Sequence, residues 1–182
     1  IFFEHRWLHN NYGNVPNVIN KVDLFKSKIT KKGIDISLIS SSLMAIESLR
    51  AAKLLKEYDI DCEVLDLRVL RPLDKSSILK TAKKTKNILA IDNGLMGFGI
   101  SAEILSTIID SELYKYCEIN RIGLNDGPIP STKSLAKYVY PTYISISIEV
   151  LKIFNRKIPK RLTNSSDRYS SDQPDKNFTG PF

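Results

Sequence analysis

The sequence predicts an α/β domain of three layers, in which a mostly parallel sheet carries helices on both faces. Short apolar runs alternate with segments whose apolar residues recur at helical spacing, in the order strand, helix, strand, helix, strand, helix. The segments between them are short, and short connections between alternating strands and helices enforce parallel strands joined by right-handed crossovers. Ile88, Leu89, Ala90 and Ile91 form a continuous apolar run, the pattern of a strand buried on both faces of a parallel sheet.

Upstream of that pattern, Ile1 and the two phenylalanines after it read as the end of a buried strand, so the chain is expected to continue a longer polypeptide. Residues 10–14 are rich in turn formers, and residues 17–32 are polar and irregular, a linker that ends at the turn Lys31-Lys32-Gly33. The first strand of the domain covers 35–40 (DISLIS), with Ser41 or Ser42 as N-cap of a helix that begins at Leu43. Leu43, Ile46, Leu49, Ala52, Leu54 and Leu55 give that helix a broad apolar face. After a turn at 59–61, residues 62–69 form the second strand. Pro72 stops it and Asp74 caps a second helix marked by Ile78, Leu79 and Ala82.

The third strand opens at Asn87 and breaks at Asp92-Asn93. Gly94, Gly97 and Gly99 make the turn, and Ile100, Ile104, Leu105 and Ile108 mark the third helix. Residues 116–124 give a fourth strand. A Pro-rich loop follows at 125–130, then a helix capped by Ser131 or Thr132 that runs to about Val139. Residues 144–150 (ISISIEV) alternate with period two, yet Ile144, Ile148 and Leu151 also fit a helix, and the local pattern leaves both readings open. The basic run 152–161 reads as a solvated helix end, and the polar tail beyond Asn155 cannot build a core, although Phe178 and Phe182 could anchor it on a neighbouring surface.

Composition narrows the function. The chain has 182 residues, 42% hydrophobic and 26% charged, which suits one globular core with extensions. Its formal charge of +7 comes from lysines spread along the whole chain, with no stripe of Arg and aromatic residues, so no nucleic-acid partner is expected. No run of about 18 apolar residues predicts a membrane span. Cys62 and Cys117 lie in apolar runs without metal-ligand spacing and read as free buried thiols of a reducing compartment.

The residues that could carry chemistry do not assemble into a catalytic set. Gly94, Gly97 and Gly99 precede a helix, where backbone N–H groups favour phosphate. Their spacing, however, is neither the dinucleotide fingerprint nor a P-loop, and a tight turn that brings the helix close to the sheet or to another subunit explains them better. Asp92 ends its strand where α/β sites usually lie. Asp66, Arg68 and Arg71 cluster near the end of the second strand, as a structural ion pair or an acid–base group would. His5 and His9 are four apart, as in a metal pair, with no third ligand nearby. No nucleophile stands with a base, so no catalytic, cofactor-binding or metal-binding residue is assigned.

These motifs together carry a resemblance. The stretch from Gly33 to Ile104, with L-R-x-x-R-P-L-D at 67–74 and GFGISAEI at 97–104, closely resembles the C-terminal domain of the transketolase superfamily. Within it the chain is most similar to the beta subunit of the decarboxylating component of 2-oxo acid dehydrogenases (pyruvate or branched-chain). IFFEHRWLHNNYG resembles the end of that subunit's pyrimidine-binding domain and the start of its linker, and RIGLNDGPIPSTKSLAKYVYPT its last strand, loop and helix. The resemblance implies that 144–150 are helical. It also implies three parts: the end of the preceding domain and a linker (1–32), the C-terminal-like α/β domain (33–154) and a polar extension (155–182).

Functionally, the resemblance implies a thiamine diphosphate enzyme that decarboxylates a 2-oxo acid and passes the acyl group to a lipoyl arm. Thiamine diphosphate and Mg²⁺ would be bound outside this chain, which alone is expected to be inactive. The domain's implied role is assembly: a homodimeric contact, an alpha-type subunit or domain, and in complex-forming members a lipoyl acyltransferase core. The expected subunit interface is Gly97, Gly99, Ala102 and Glu103, and the expected structural or docking loop is Arg71, Asp126, Pro128 and Pro130. Tyr116 and Asp92-Asn93 depart from the acidic residue and the Glu-Gly or Glu-Glu usual in the family, which points to a specialised relative. The implied location is the cytoplasm, or the mitochondrial matrix of a eukaryote. Alternatives are an acetoin-dehydrogenase-, transketolase- or deoxyxylulose-phosphate-synthase-like enzyme, or a stand-alone interaction module on the same fold.

Overall fold

The computed structural model describes residues 25–136 and 138–163, together with 1, 3–5, 8, 9 and 17. Its centre is a five-stranded sheet of β1 (Lys28–Lys31), β2 (Ile36–Ser40), β3 (Cys62–Asp66), β4 (Asn87–Leu95) and β5 (Glu118–Leu124), in the order β1-β3-β2-β4-β5. β2 pairs in parallel with β3 and with β4, β4 pairs in parallel with β5, and only β1 is antiparallel. The predicted three-layer, mostly parallel sheet is therefore the observed one.

Alternation along each central strand splits the core in two. Ile36, Leu38, Cys62, Val64, Leu89 and Ile91 face α1 (Leu43–Leu55) and α5 (Tyr143–Ile153). Ile39, Leu65, Ile88 and Ala90 face α2 (Lys75–Thr85) and α3 (Ile100–Asp110), meeting Ile78, Ala82, Ile104 and Ile108. Because successive residues point to opposite faces, a continuous apolar run feeds both cores at once.

Several local expectations are corrected. Lys28–Lys31, read as part of an irregular linker, adds to the sheet beside β3 across a register shift between Ile29 and Lys31. Its short, lysine-bounded sequence hides it from periodicity, yet those features suit an exposed edge strand. The upstream Ile1 and Phe3 are not in a strand. β3 ends at Asp66 rather than Val69, and β5 begins at Glu118 rather than Tyr116. β4 continues past Asp92-Asn93 to Leu95, which pairs with Leu124 beyond a second shift.

Caps explain where the helices begin. Asp74 caps α2 as predicted, whereas Ser42, at the N-cap position of α1, makes no side-chain cap bond and has a positive φ of 53°. The helix after the Pro-rich loop, α4, is only Lys133–Ala136. The ambiguous 144–150 segment is helical because Thr142 and Ser145 form a reciprocal capping box and Ile144, Ile146, Val150 and Leu151 are buried. Glu47 of α1 strengthens this start: its Oε2 accepts the Tyr143 N–H at 2.7 Å, while Oε1 pairs with Arg50 at 2.8 Å.

The chain does not leave the core at Asn155. Asn155 adopts a left-handed conformation with φ 51°, the Arg156 N–H returns to the Leu151 carbonyl at 2.8 Å, and α6 (Lys160–Thr163) packs back. Leu162 is buried in the α1–α5 core with Ile158 beside it, and Arg161 reaches Glu57 and Tyr58 at 2.6 Å each. The run 152–161 is therefore only partly a solvated helix end. Phe178 and Phe182 lie outside the described residues.

Candidate functional site

The carboxyl ends of the parallel strands carry the β3–α2 loop, the β4–α3 turn and the loop after β5. In an open α/β sheet this edge is where ligands and partners are met.

The β4–α3 turn is built around Asp92. Its buried carboxylate accepts from the Gly94 N–H at 2.9 Å through Oδ1 and from the Ser101 N–H at 3.4 Å through Oδ2. A Cβ on Gly99 would lie 2.3 Å from Asp92 Oδ2 and 2.5 Å from the Leu95 carbonyl, and one on Gly94 would lie 3.3 Å from Asp92 Oδ1. Gly94 and Gly99 are thus glycine for their own chain, to let the turn close over this carboxylate. Gly97 differs, since its nearest neighbour would be Asp126 Oδ1 at 3.6 Å.

This arrangement also tests the phosphate reading. At the start of α3 the Ser101 amide already donates to Asp92 Oδ2 at 3.4 Å and the Ala102 amide to the Gly99 carbonyl at 3.0 Å. The residues therefore do not fit the diphosphate of a thiamine cofactor. His9 Nε2 lies 3.2 Å from Glu4 Oε2, and among the described residues no group of three or more His, Cys, Asp or Glu side chains could hold a metal.

The β3–α2 loop has an equally firm base. Asp74 Oδ1 accepts from Ser76 Oγ at 2.6 Å and the Ser77 N–H at 3.2 Å, and Oδ2 accepts from Ser77 Oγ at 2.7 Å and the Ser27 N–H at 3.0 Å. Burial opposes ionisation of Asp74, but the donated bonds from Ser76, Ser77 and Ser27 outweigh it and hold the carboxyl well below the usual carboxylate range. Asp66 goes the other way: burial raises its pKa, against the bond it accepts from the Arg68 N–H at 3.1 Å. The Arg68 guanidinium reaches the Lys26 carbonyl at 3.5 Å, so this cluster fastens the loop to the residues before β1.

The sequence-predicted residues divide among these parts. Arg71 is exposed on the β3–α2 loop, Asp126 and Pro128 are exposed after β5, and Pro130 is half-buried. Gly97 and Asp126 come together, which joins the expected interface to the expected loop. Ala102 is half-buried and Glu103 is exposed on α3, with Glu103 Oε1 3.3 Å from Lys75 Nζ. Arg121 of β5 supports the turn from below, its Nη1 donating to the Met96 carbonyl at 2.7 Å, and the Met96 N–H donates to Leu124 at 2.8 Å.

The sequence reading missed Phe98. Between Gly97 and Gly99, its side chain stands fully exposed on the tip of this supported turn, with Leu95 43% exposed nearby in the sequence. A Gly-Phe-Gly tripeptide at a strand-to-helix turn was the available signal. Cys62 is buried and its thiol is pushed up to about 12, chiefly by burial; Cys117 is only half-buried, which corrects the expectation of two buried thiols.

With this geometry in place, comparison with known proteins is informative. Residues 26–146 match the family described as Transketolase, C-terminal domain. A mitochondrial pyruvate dehydrogenase E1 component subunit beta from Saccharomyces cerevisiae is 36% identical over 135 residues, 71% of this chain and 37% of the relative. The corresponding subunit from Rickettsia felis is 30% identical over 155 residues, 84% of this chain and 47% of the relative. The chain thus spans less than half the length of these relatives. A solved structure named as a split-gene transketolase, inactive beta4 tetramer, superposes with a TM-score of 0.64 at 22% identity, covering 79% of this chain and 47% of that one.

Proposed function

From the premise that this chain belongs to the transketolase C-terminal domain family, we propose that it is the non-catalytic assembly domain of a thiamine diphosphate-dependent 2-oxo acid dehydrogenase beta subunit. The relatives named as pyruvate dehydrogenase beta subunits support this reading. The observation that supports the non-catalytic part is the turn before α3, where the Asp92 side chain takes the Gly94 and Ser101 amides. In the whole enzyme thiamine diphosphate, with Mg²⁺, would supply the carbanion chemistry of decarboxylation, and both would be held outside this chain.

What the chain supplies is a rigid carboxyl edge. The turn at 92–99 is closed on Asp92 and seated on β5, and the β3–α2 loop is fastened by Asp74, so the edge keeps its shape before a partner arrives. Self-association is assigned to the α3 side of this edge, at Gly97, Gly99, Ala102 and Glu103. Contact with an alpha-type subunit, and with a lipoyl acyltransferase core where one exists, is assigned to Arg71, Asp126, Pro128 and Pro130. No helix among the described residues is long and apolar enough to cross a membrane, and the assigned place of action is the cytoplasm or the mitochondrial matrix. Calorimetric titration of thiamine diphosphate and Mg²⁺ into this 182-residue chain tests the non-catalytic reading. No binding heat is expected, and micromolar affinity would contradict it.

A further inference from the structure

We propose that Lys26 and Ser27 form a strap: the β3–α2 loop clasps the chain where it enters the domain, so that the free tether upstream ends at Phe25 and not at Gly33. The inference stands apart from the assembly reading, because it concerns the path of the chain and not what the domain meets. Asp74 is the clasp. Its side chain is 3% exposed; Oδ2 accepts from the Ser27 N–H at 3.0 Å, and Oδ1 lies 3.7 Å from Lys26 Nζ. Ser76 and Ser77 hold both oxygens from the other side, so the acceptor is fixed without Ser27. Two further bonds come from the same loop. The Ser27 hydroxyl donates to the Leu67 carbonyl at 3.4 Å, and Arg68 Nη1 donates to the Lys26 carbonyl at 3.5 Å. Arg68 has a left-handed φ of 60°, with its N–H held by Asp66 Oδ1.

β1 needs this hold. It has four residues, mostly exposed, at the edge of the sheet, and a strand paired on one side with so little burial opens readily. The register shift between Ile29 and Lys31 divides it in two. Beyond the shift, Lys31 Nζ fastens the strand to Asp61 Oδ1 and the Cys62 carbonyl at 2.8 Å each. Before the shift, Lys28 and Ile29 stand opposite Asp66 and Leu65, and the strap secures that end. The stretch that matches the family also begins at residue 26. Reach follows from this. A linker of residues 17–32 has sixteen residues and would span at most about 55 Å, whereas one that ends at residue 25 has nine and spans about 30 Å. Whatever the chain carries upstream is kept closer to the carboxyl edge. Its point of attachment is the β3–α2 loop, where Arg68 and Asp74 bracket Arg71.

Hydrogen exchange of the full-length polypeptide tests the strap, read by mass spectrometry on peptides that cover residues 25–32 and α2. Two variants break the bond between Ser27 and Asp74 from opposite sides. Ser27→Pro removes the N–H, and Asp74→Ser keeps a cap for α2 but is too short to reach Ser27. Each is expected to speed exchange of the protected amides in the 25–32 peptide about tenfold, with the rates in α2 unchanged. The double variant is expected to add little, because both changes remove one interaction. Wild-type rates in the 25–32 peptide of both variants overturn the strap and leave β1 held by its ladder alone. A rise that spreads equally to α2 also overturns it, since Ser27 and Asp74 then support the whole domain and not a local joint.

Discussion

Gly97 and Gly99 sit in the same turn and answer the same substitution differently. Gly99→Ala drives a methyl group into Asp92 Oδ2 and the Leu95 carbonyl, so a loss of about 1–3 kcal/mol is expected in urea unfolding. Gly97→Ala meets nothing nearer than 3.6 Å and is expected to change stability by no more than about 0.5 kcal/mol. Asp74 predicts a pH dependence. Its folded pKa is depressed, so the stability it contributes is present above its unfolded pKa, about 4, and is lost as pH falls through the folded value. Asp74→Ala should cost about 0.5–2 kcal/mol at pH 7, and the difference from wild type should shrink below pH 4. Cys62, with its thiol near 12, should resist Ellman's reagent at pH 8 until the protein unfolds. At this scale the sequence disclosed Asp74 as a cap, because Asp directly after Pro-Leu and before a helix has one obvious use. The partners of Asp92 were hidden, since they lie across a turn whose closure no local pattern records.

Among the elements, those with a full apolar period were legible: β2, the Ile88–Ile91 run of β4, α1, α2 and α3 all stand where the spacing puts them. β1 and α6 were not, because each has four residues and holds its place through the rest of the molecule. β1 pairs with β3, and α6 buries Leu162. The segment at 144–150 satisfied two periods at once, and its helical state is secured by the capping box and by Glu47, 96 residues earlier in the chain. Glu47→Ala removes the acceptor of the Tyr143 N–H at the start of α5 and with it one polar tie between α1 and that helix. A loss of about 1–3 kcal/mol is expected in thermal unfolding, with Glu47→Gln recovering part of it.

For the whole molecule, the double core on one sheet makes a rigid plate whose carboxyl edge is held by buried carboxylates, Asp92 and Asp74. That edge presents the exposed Phe98 with Leu95 43% exposed nearby in the sequence, and exposed apolar groups of this kind suit contact with another protein. The family was legible because its motifs lie in loops and caps that the fold needs, whereas the exposed position of Phe98 was not, because exposure is a property of the folded shape. The central claim is that this domain serves assembly. Sedimentation equilibrium of the full-length polypeptide at micromolar concentration tests it most directly: a mass of two copies or a multiple of two is predicted, and a single copy at every concentration would contradict it.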